Sequence, residues 1–209
     1  VDNLLVLLLV FTGGGLLFVF NRNFMYYSFL TLLVVSILLN YNRLKRDLLN
    51  SSVFTSLSII LLFLINFFFA VTEQSVDKYL YYLTVIMTSV LFYVHFKNNR
   101  SNYIFLNRLN FILKLIFFHS ILNFLAYFFI ADQLTEINSE YYTCKTYNYL
   151  FYYASDEITL SVMNLFGIEF CRNQGLFWEP GVLQIYLNLF FFLQAFIFKQ
   201  NRWLVLIGF

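Results

Sequence analysis

The sequence predicts an all-α, polytopic integral membrane protein with six transmembrane helices, the start of a seventh, and one long outer loop. Three observations carry that prediction. Of 209 residues, 61% are apolar and only 11% charged, against about 25% charged in soluble domains, so polar surface is too scarce to wrap a soluble core. Six apolar stretches approach the ~20 residues that cross a bilayer as a helix. Most charged residues fall between those stretches, with Lys and Arg concentrated in alternate connections. One proline and seven glycines exclude collagen-like and Pro/Gly-rich disordered chains, and a formal charge of +2 gives no electrostatic footprint for nucleic acid.

In chain order, the predicted spans are residues 2–20, 24–41, 53–72, 79–96, 109–131 and 181–198, and a seventh opens at Trp203. The first lacks a basic n-region and is longer than a signal-peptide core, so it reads as a retained span. It holds Gly13-Gly14-Gly15, a cluster of small residues where another helix can approach closely. The third, Val53 to Thr72, is the clearest. No Gly/Pro-broken span recurs in a second half, so the inverted-repeat pattern of many transporters is missing. The 22% aromatic content reflects AT-rich codon bias more than a binding signature, with many rings facing lipid. The chain opens on Val1, and the apolar run from Trp203 stops at Phe209 after about two turns. It therefore reads as the N-terminal portion of a longer protein, divided into a five-span region (1–131), a long loop (132–180) and a closing segment (181–209).

Orientation follows the basic residues. Arg43, Lys45, Arg46, Lys97, Arg100, Arg108, Lys199 and Arg202 share one side; Arg22, Lys78, Lys145 and Arg172 fall on the other, and Lys114 lies inside the fifth span near its cytoplasmic end. The N-terminus is then cytoplasmic and the long loop external. Nine of the eleven acidic residues also collect outside.

The long connection, Asp132 to Glu179, is where function is expected, because structureless loops beyond about 12–15 residues are uncommon unless they bind, catalyse or are disordered. It is too apolar for disorder, and Tyr147 to Phe170 is expected to form one or two short helices on the membrane face. Cys144 and Cys171 both lie in it, and an oxidising exterior predicts a disulfide between them. That bond would stabilise the loop by roughly 3 kcal/mol in the chain-entropy model. Two isolated cysteines, with His95 and His119 in spans, give no zinc spacing, so no metal and no cofactor is expected.

The loop ends in Arg172-Asn173-Gln174-Gly175-Leu176-Phe177-Trp178-Glu179-Pro180-Gly181, running into the sixth span. Local physics accounts for part of it: Pro180 suits a first helical turn, Glu179 favours the positive helix end, and Trp178 suits an interface. Arg172 beside Gly175 adds chemistry, because a guanidinium next to a residue that lets backbone approach a ligand is suited to hold a diphosphate. The Arg-x-x-Gly-x-Phe-x-Glu-Pro-Gly pattern, opening a span after a long outer loop, resembles the O-antigen polymerase and O-antigen ligase family of bacterial inner membranes. The resemblance covers the general architecture of the chain, and its specific part is positions 172 to 181. It implies a glycan polymerase or ligase that transfers oligosaccharide from an undecaprenyl-diphosphate carrier at the periplasmic face of the inner membrane. Flippase and chain-length regulator proteins would then be partners.

Within that resemblance Arg172 matches the residue held to engage the diphosphate or anionic glycan. Gly175 matches the motif without an equally firm role. Glu179 is a catalytic-base candidate, with Asp156 and Glu157 weaker ones, against the simpler account of helix-start electrostatics. In the fifth span His119, Asn123 and Tyr127 recur every four residues and form one stripe; Gln184 and Asn188 do the same in the sixth. Two facing stripes would line a polar cavity that places His119 and Asn123 near substrate, while interhelical hydrogen bonding explains them equally. The alternative functions are a lipid-linked oligosaccharide flippase or other transporter, and a non-catalytic partner in surface-polysaccharide synthesis.

Overall fold

The long apolar runs are rich in Leu, Ile and Phe and contain no proline before residue 180, so nothing inside them removes a backbone donor from the helical ladder. In the computed structural model, which describes residues 1–39, 46–70, 75–98, 102–138, 143–154, 162–165 and 168–199, they form helices α1 (Asp2–Thr12), α2 (Arg22–Leu39), α3 (Arg46–Phe69), α4 (Val76–Asn98), α5 (Asn102–Ile130) and α6 (Pro180–Phe192). The last continues as a π-helical stretch, Leu193–Phe198. Among the described residues four helical segments are long and apolar enough to cross a membrane: Asn50–Phe69, Tyr79–Lys97, Tyr103–Gln133 and Pro180–Phe198. No residue of the α3 span is fully buried, and Phe54, Leu61, Leu62, Phe68 and Phe69 are exposed. An all-round apolar helix of this kind needs lipid as its solvent, and the protein is membrane-embedded.

Among the described residues the expected count of six spans is not reached. Residues 2–20 do not form one helix: α1 ends at Thr12, about 16 Å of rise against a hydrocarbon core of about 30 Å. The Gly13-Gly14-Gly15 cluster stops it, and Gly14 adopts φ +119°, a conformation closed to helices. Residues 23–39 form a shorter apolar helix, and residues 40–41 of that predicted span lie outside the described residues. The seventh span, from Trp203, lies outside the described residues.

The described chain divides into two compact units, one made of Val1 and Ser28–Leu106, the other of Asp2–Tyr27 and Asn107–Phe209. In the first, α3 and α4 pack together through rings: Tyr79 meets Phe63 and Phe67 edge-on at 6.2 and 5.2 Å, and its hydroxyl donates to Asn66 Oδ1 at 3.3 Å. Ser36 Oγ lies 3.4 Å from His95 Nδ1, and both are buried.

The second unit corrects the all-α expectation. The segment after α5 folds as strands β1 (Thr135–Asn138), β2 (Thr143–Tyr147) and β3 (Phe151–Ala154), an antiparallel sheet in the order β1-β2-β3, followed by the hairpin β4 (Val162–Leu165) and β5 (Ile168–Cys171). None of the described part of Tyr147–Phe170 is helical. Thr, Tyr and Phe dominate β2 and β3, and branched and aromatic side chains favour the pleated surface. Asn148 and Tyr149 both take φ above +50°, and Leu150 N–H returns to the Tyr147 carbonyl at 3.0 Å, so a tight turn joins β2 to β3.

The sheet is covered on both faces. Tyr152 stacks on Phe18 at 3.8 Å, with Cys144 beside them, while Tyr153 turns to the opposite face and meets Tyr127 of α5 at 5.0 Å. The turn after α1 joins the same unit as a short antiparallel bridge, Gly15 to Phe177. It is closed by Leu16 N–H to the Leu176 carbonyl (2.7 Å) and Trp178 N–H to the Gly14 carbonyl (3.0 Å). The glycine cluster thus provides close approach, as expected, but as a turn rather than within a span.

Candidate functional site

The predicted stripe on α5 is the seam on which the sheet docks. His119 Nε2 lies 3.0 Å from the Leu150 carbonyl, Asn123 Nδ2 donates to the Tyr152 carbonyl at 2.9 Å, and Tyr127 Oη accepts Cys171 N–H at 3.1 Å. Tyr153 Oη returns a bond to the Asn123 carbonyl at 2.6 Å. Spacing of four residues puts all three side chains on one helix face. The β2–β3 turn, strand β3 and the end of β5 then meet them with main-chain groups, while Asn123 Oδ1 stays buried without a hydrogen-bond partner. The facing stripe expected on α6 does not join them, because Gln184 and Asn188 are exposed and α6 packs on α5 through Phe190 and Phe191 against Phe117. Within α6 it is Phe190 and Phe191, and not Gln184 and Asn188, that turn toward α5; the amide that does reach α5 is the buried Gln194 of the π-helical continuation, whose Nε2 donates to Asn110 Oδ1 at 2.5 Å.

Asn173, which the sequence reading passed over, is the hub. Its Oδ1 accepts from Asn123 Nδ2 (2.6 Å) and from Gly175 N–H (2.9 Å), and its Nδ2 donates to the carbonyl and hydroxyl of Ser120 (2.8 and 3.2 Å). The bond to Gly175 is an Asx turn, which the Asn-x-Gly spacing signals. Gly175 sits at φ +57°, and an added Cβ would meet Leu183 at 3.3 Å. Gly175 therefore serves the turn's left-handed backbone, and it packs against α6.

Arg172 is flanked by two fixed residues. Its carbonyl accepts Ala154 N–H at 3.0 Å, and Asn173 bridges Tyr153 in antiparallel register. Cys171 and Asn173 face α5, so the alternation of an extended strand turns Arg172 outward. It is exposed, and no carboxylate among the described residues pairs with it. Beside it opens a cleft of ≈ 260 Å³ lined by Phe124, Tyr127, Tyr153, Cys171, Arg172, Asn173 and Pro180. Three aromatic rings, one cation and no carboxylate make this a place for an apolar group carrying negative charge. Glu179 adjoins Pro180 without lining the cleft. It stands exposed at the α6 N-terminus, where its main-chain carbonyl accepts from Val182 and Leu183 and its side chain makes no cap. Asp156 and Glu157 lie outside the described residues.

The expected disulfide is absent. Both thiols are free, because the pleat separates them: Cys144 packs with Tyr152 and Phe18 on one face, Cys171 with Tyr153 and Tyr127 on the other. Burial pushes the Cys144 thiol up to about 11. Burial likewise raises the Tyr152 phenol to about 12 and raises Tyr153 further. Among the described residues, no group of three or more His, Cys, Asp or Glu side chains is placed to hold a metal ion. No protein-family model, curated protein or solved structure matches the chain.

Proposed function

We propose that this membrane protein serves glycan transfer from a polyprenyl-diphosphate carrier at the outer face of a bacterial inner membrane, as an O-antigen polymerase or ligase does. The observation that carries the reading is Arg172. It is exposed, unpaired among the described residues, and held by its neighbours at the edge of an aromatic cleft, where α6 begins. A guanidinium so placed holds two phosphate oxygens through charge-assisted bonds and stabilises the charge that develops on the departing diphosphate. The pattern from Arg172 to Gly181 supports the same class. Apolar spans on either side of the cleft supply the environment of a lipid-linked donor. In this reading the long outer loop is periplasmic and the basic connections cytoplasmic. Flippase and chain-length regulator proteins are the expected partners, and His119 and Asn123 act by holding the sheet in place behind the cleft.

Chromosomal Arg172→Ala tests the proposal by the length and attachment of surface glycan. Loss of polymer or of attachment, with lipid-linked units still exported, supports it. Wild-type glycan contradicts it, and loss of export of the lipid-linked units moves the protein to the transporter class.

A further inference from the structure

We infer that Asn173 is a positioning residue for Arg172, fixing the strand register that turns the guanidinium outward beside the cleft; the inference rests on the diphosphate reading above. Asn173 bridges Tyr153 of β3 in antiparallel register beside the Ala154–Arg172 bond, and there a shift of one residue would exchange the inward and outward side chains. Backbone pairing alone holds that register weakly, since Ala154 N–H to the Arg172 carbonyl is a single bond at 3.0 Å. The side chain of Asn173 adds three bonds to α5, from its Nδ2 to the carbonyl and hydroxyl of Ser120 and from Asn123 Nδ2 to its Oδ1. Asn123 is fully buried and Ser120 is 8% exposed, so these partners sit on a rigid helix face rather than on mobile surface. Arginine in place of Asn173 could not repeat them, because a guanidinium has no acceptor for Asn123 Nδ2 or Gly175 N–H. The slipped register is thereby excluded, and Arg172 stays outward.

The test measures binding of farnesyl diphosphate and of farnesol to the purified chain in detergent, using their affinity ratio as the readout. A ratio isolates the anion-dependent contribution from any general loosening of the cleft. The wild type is expected to prefer the diphosphate by about tenfold or more, and Arg172→Ala to bring the ratio near one. Asn173→Ser keeps an acceptor for Gly175 N–H, and so the turn, but loses the reach to α5. It is expected to lower the ratio by about tenfold with farnesol affinity unchanged, at a temperature where the variant is folded. Asn173→Ala is the second variant, and the ratio is read for each below its own melting temperature. An unchanged ratio, or equal weakening of both ligands, overturns the positioning role and leaves the diphosphate reading standing. A wild type with no preference overturns that reading itself, and the inference with it.

Discussion

Replacing Gly14 with alanine is expected to destabilise the second unit by about 2–5 kcal/mol. Two costs combine. Gly14 sits at φ +119°, where an L side chain is strained by about 1–2 kcal/mol. Its new Cβ would stand 2.6 and 2.7 Å from Cδ1 and Nε1 of Trp178, so the indole must retreat by about 0.8 Å to reach ordinary contact. That retreat is resisted because Trp178 N–H is bonded to the Gly14 carbonyl itself, and overpacking of this kind costs about 1–3 kcal/mol. Gly181→Ala is the internal control. Its Cβ meets only Glu179 Oε1, at 3.6 Å, on the first turn of α6, so it should be neutral or stabilising by up to about 1 kcal/mol. Thermal melting in detergent, followed by tryptophan fluorescence, compares the two. At about 2–4 °C per kcal/mol, Gly14→Ala should melt roughly 4–20 °C below wild type, and Gly181→Ala at or above it. Equal melting of Gly14→Ala and wild type would refute the account of the turn and its bridge to residues 176–178.

Three further outcomes are expected. Without reductant, both cysteines should be alkylated after denaturation, whereas in the native protein Cys171 reacts and Cys144, with no exposed surface, is protected; a resistant cross-link would restore the disulfide. Stability should fall as pH rises from about 9 to 12. The folded state keeps the Cys144 and Tyr152 protons to about 11 and about 12, while the unfolded chain releases them near 9.0 and 10.0, so alkali favours unfolding. Cys144 alone accounts for about 2–3 kcal/mol of that loss, and Cys144→Ala should flatten the curve between pH 9 and 11.

The helices were legible because a bilayer imposes a length and an apolarity that composition shows directly, as α3 does from Asn50 to Phe69. The first predicted span differs from the structure because apolarity continues across Gly13-Gly14-Gly15 while the helix ends at Thr12. The sheet was misread because its strands are as apolar and aromatic as an interfacial helix. The distinguishing signals were Thr143, Thr146 and the Phe151-Tyr152-Tyr153 run on either side of an Asn-containing turn. Spacing correctly placed His119, Asn123 and Tyr127 on one face, but their partners are main-chain groups of a distant strand, and these leave no mark on side-chain identity. Arg172 was found by its charge beside Gly175. Asn173 went unremarked although its spacing to Gly175 is the pattern of an Asx turn.

The central claim, that Arg172 serves transfer from a lipid-linked donor, is tested most directly in membranes from the native host supplied with radiolabelled lipid-linked oligosaccharide on the outer leaflet. Wild-type membranes should convert the donor to longer or attached glycan, and Arg172→Ala membranes should leave it intact. Conversion at the wild-type rate in the variant would contradict the account.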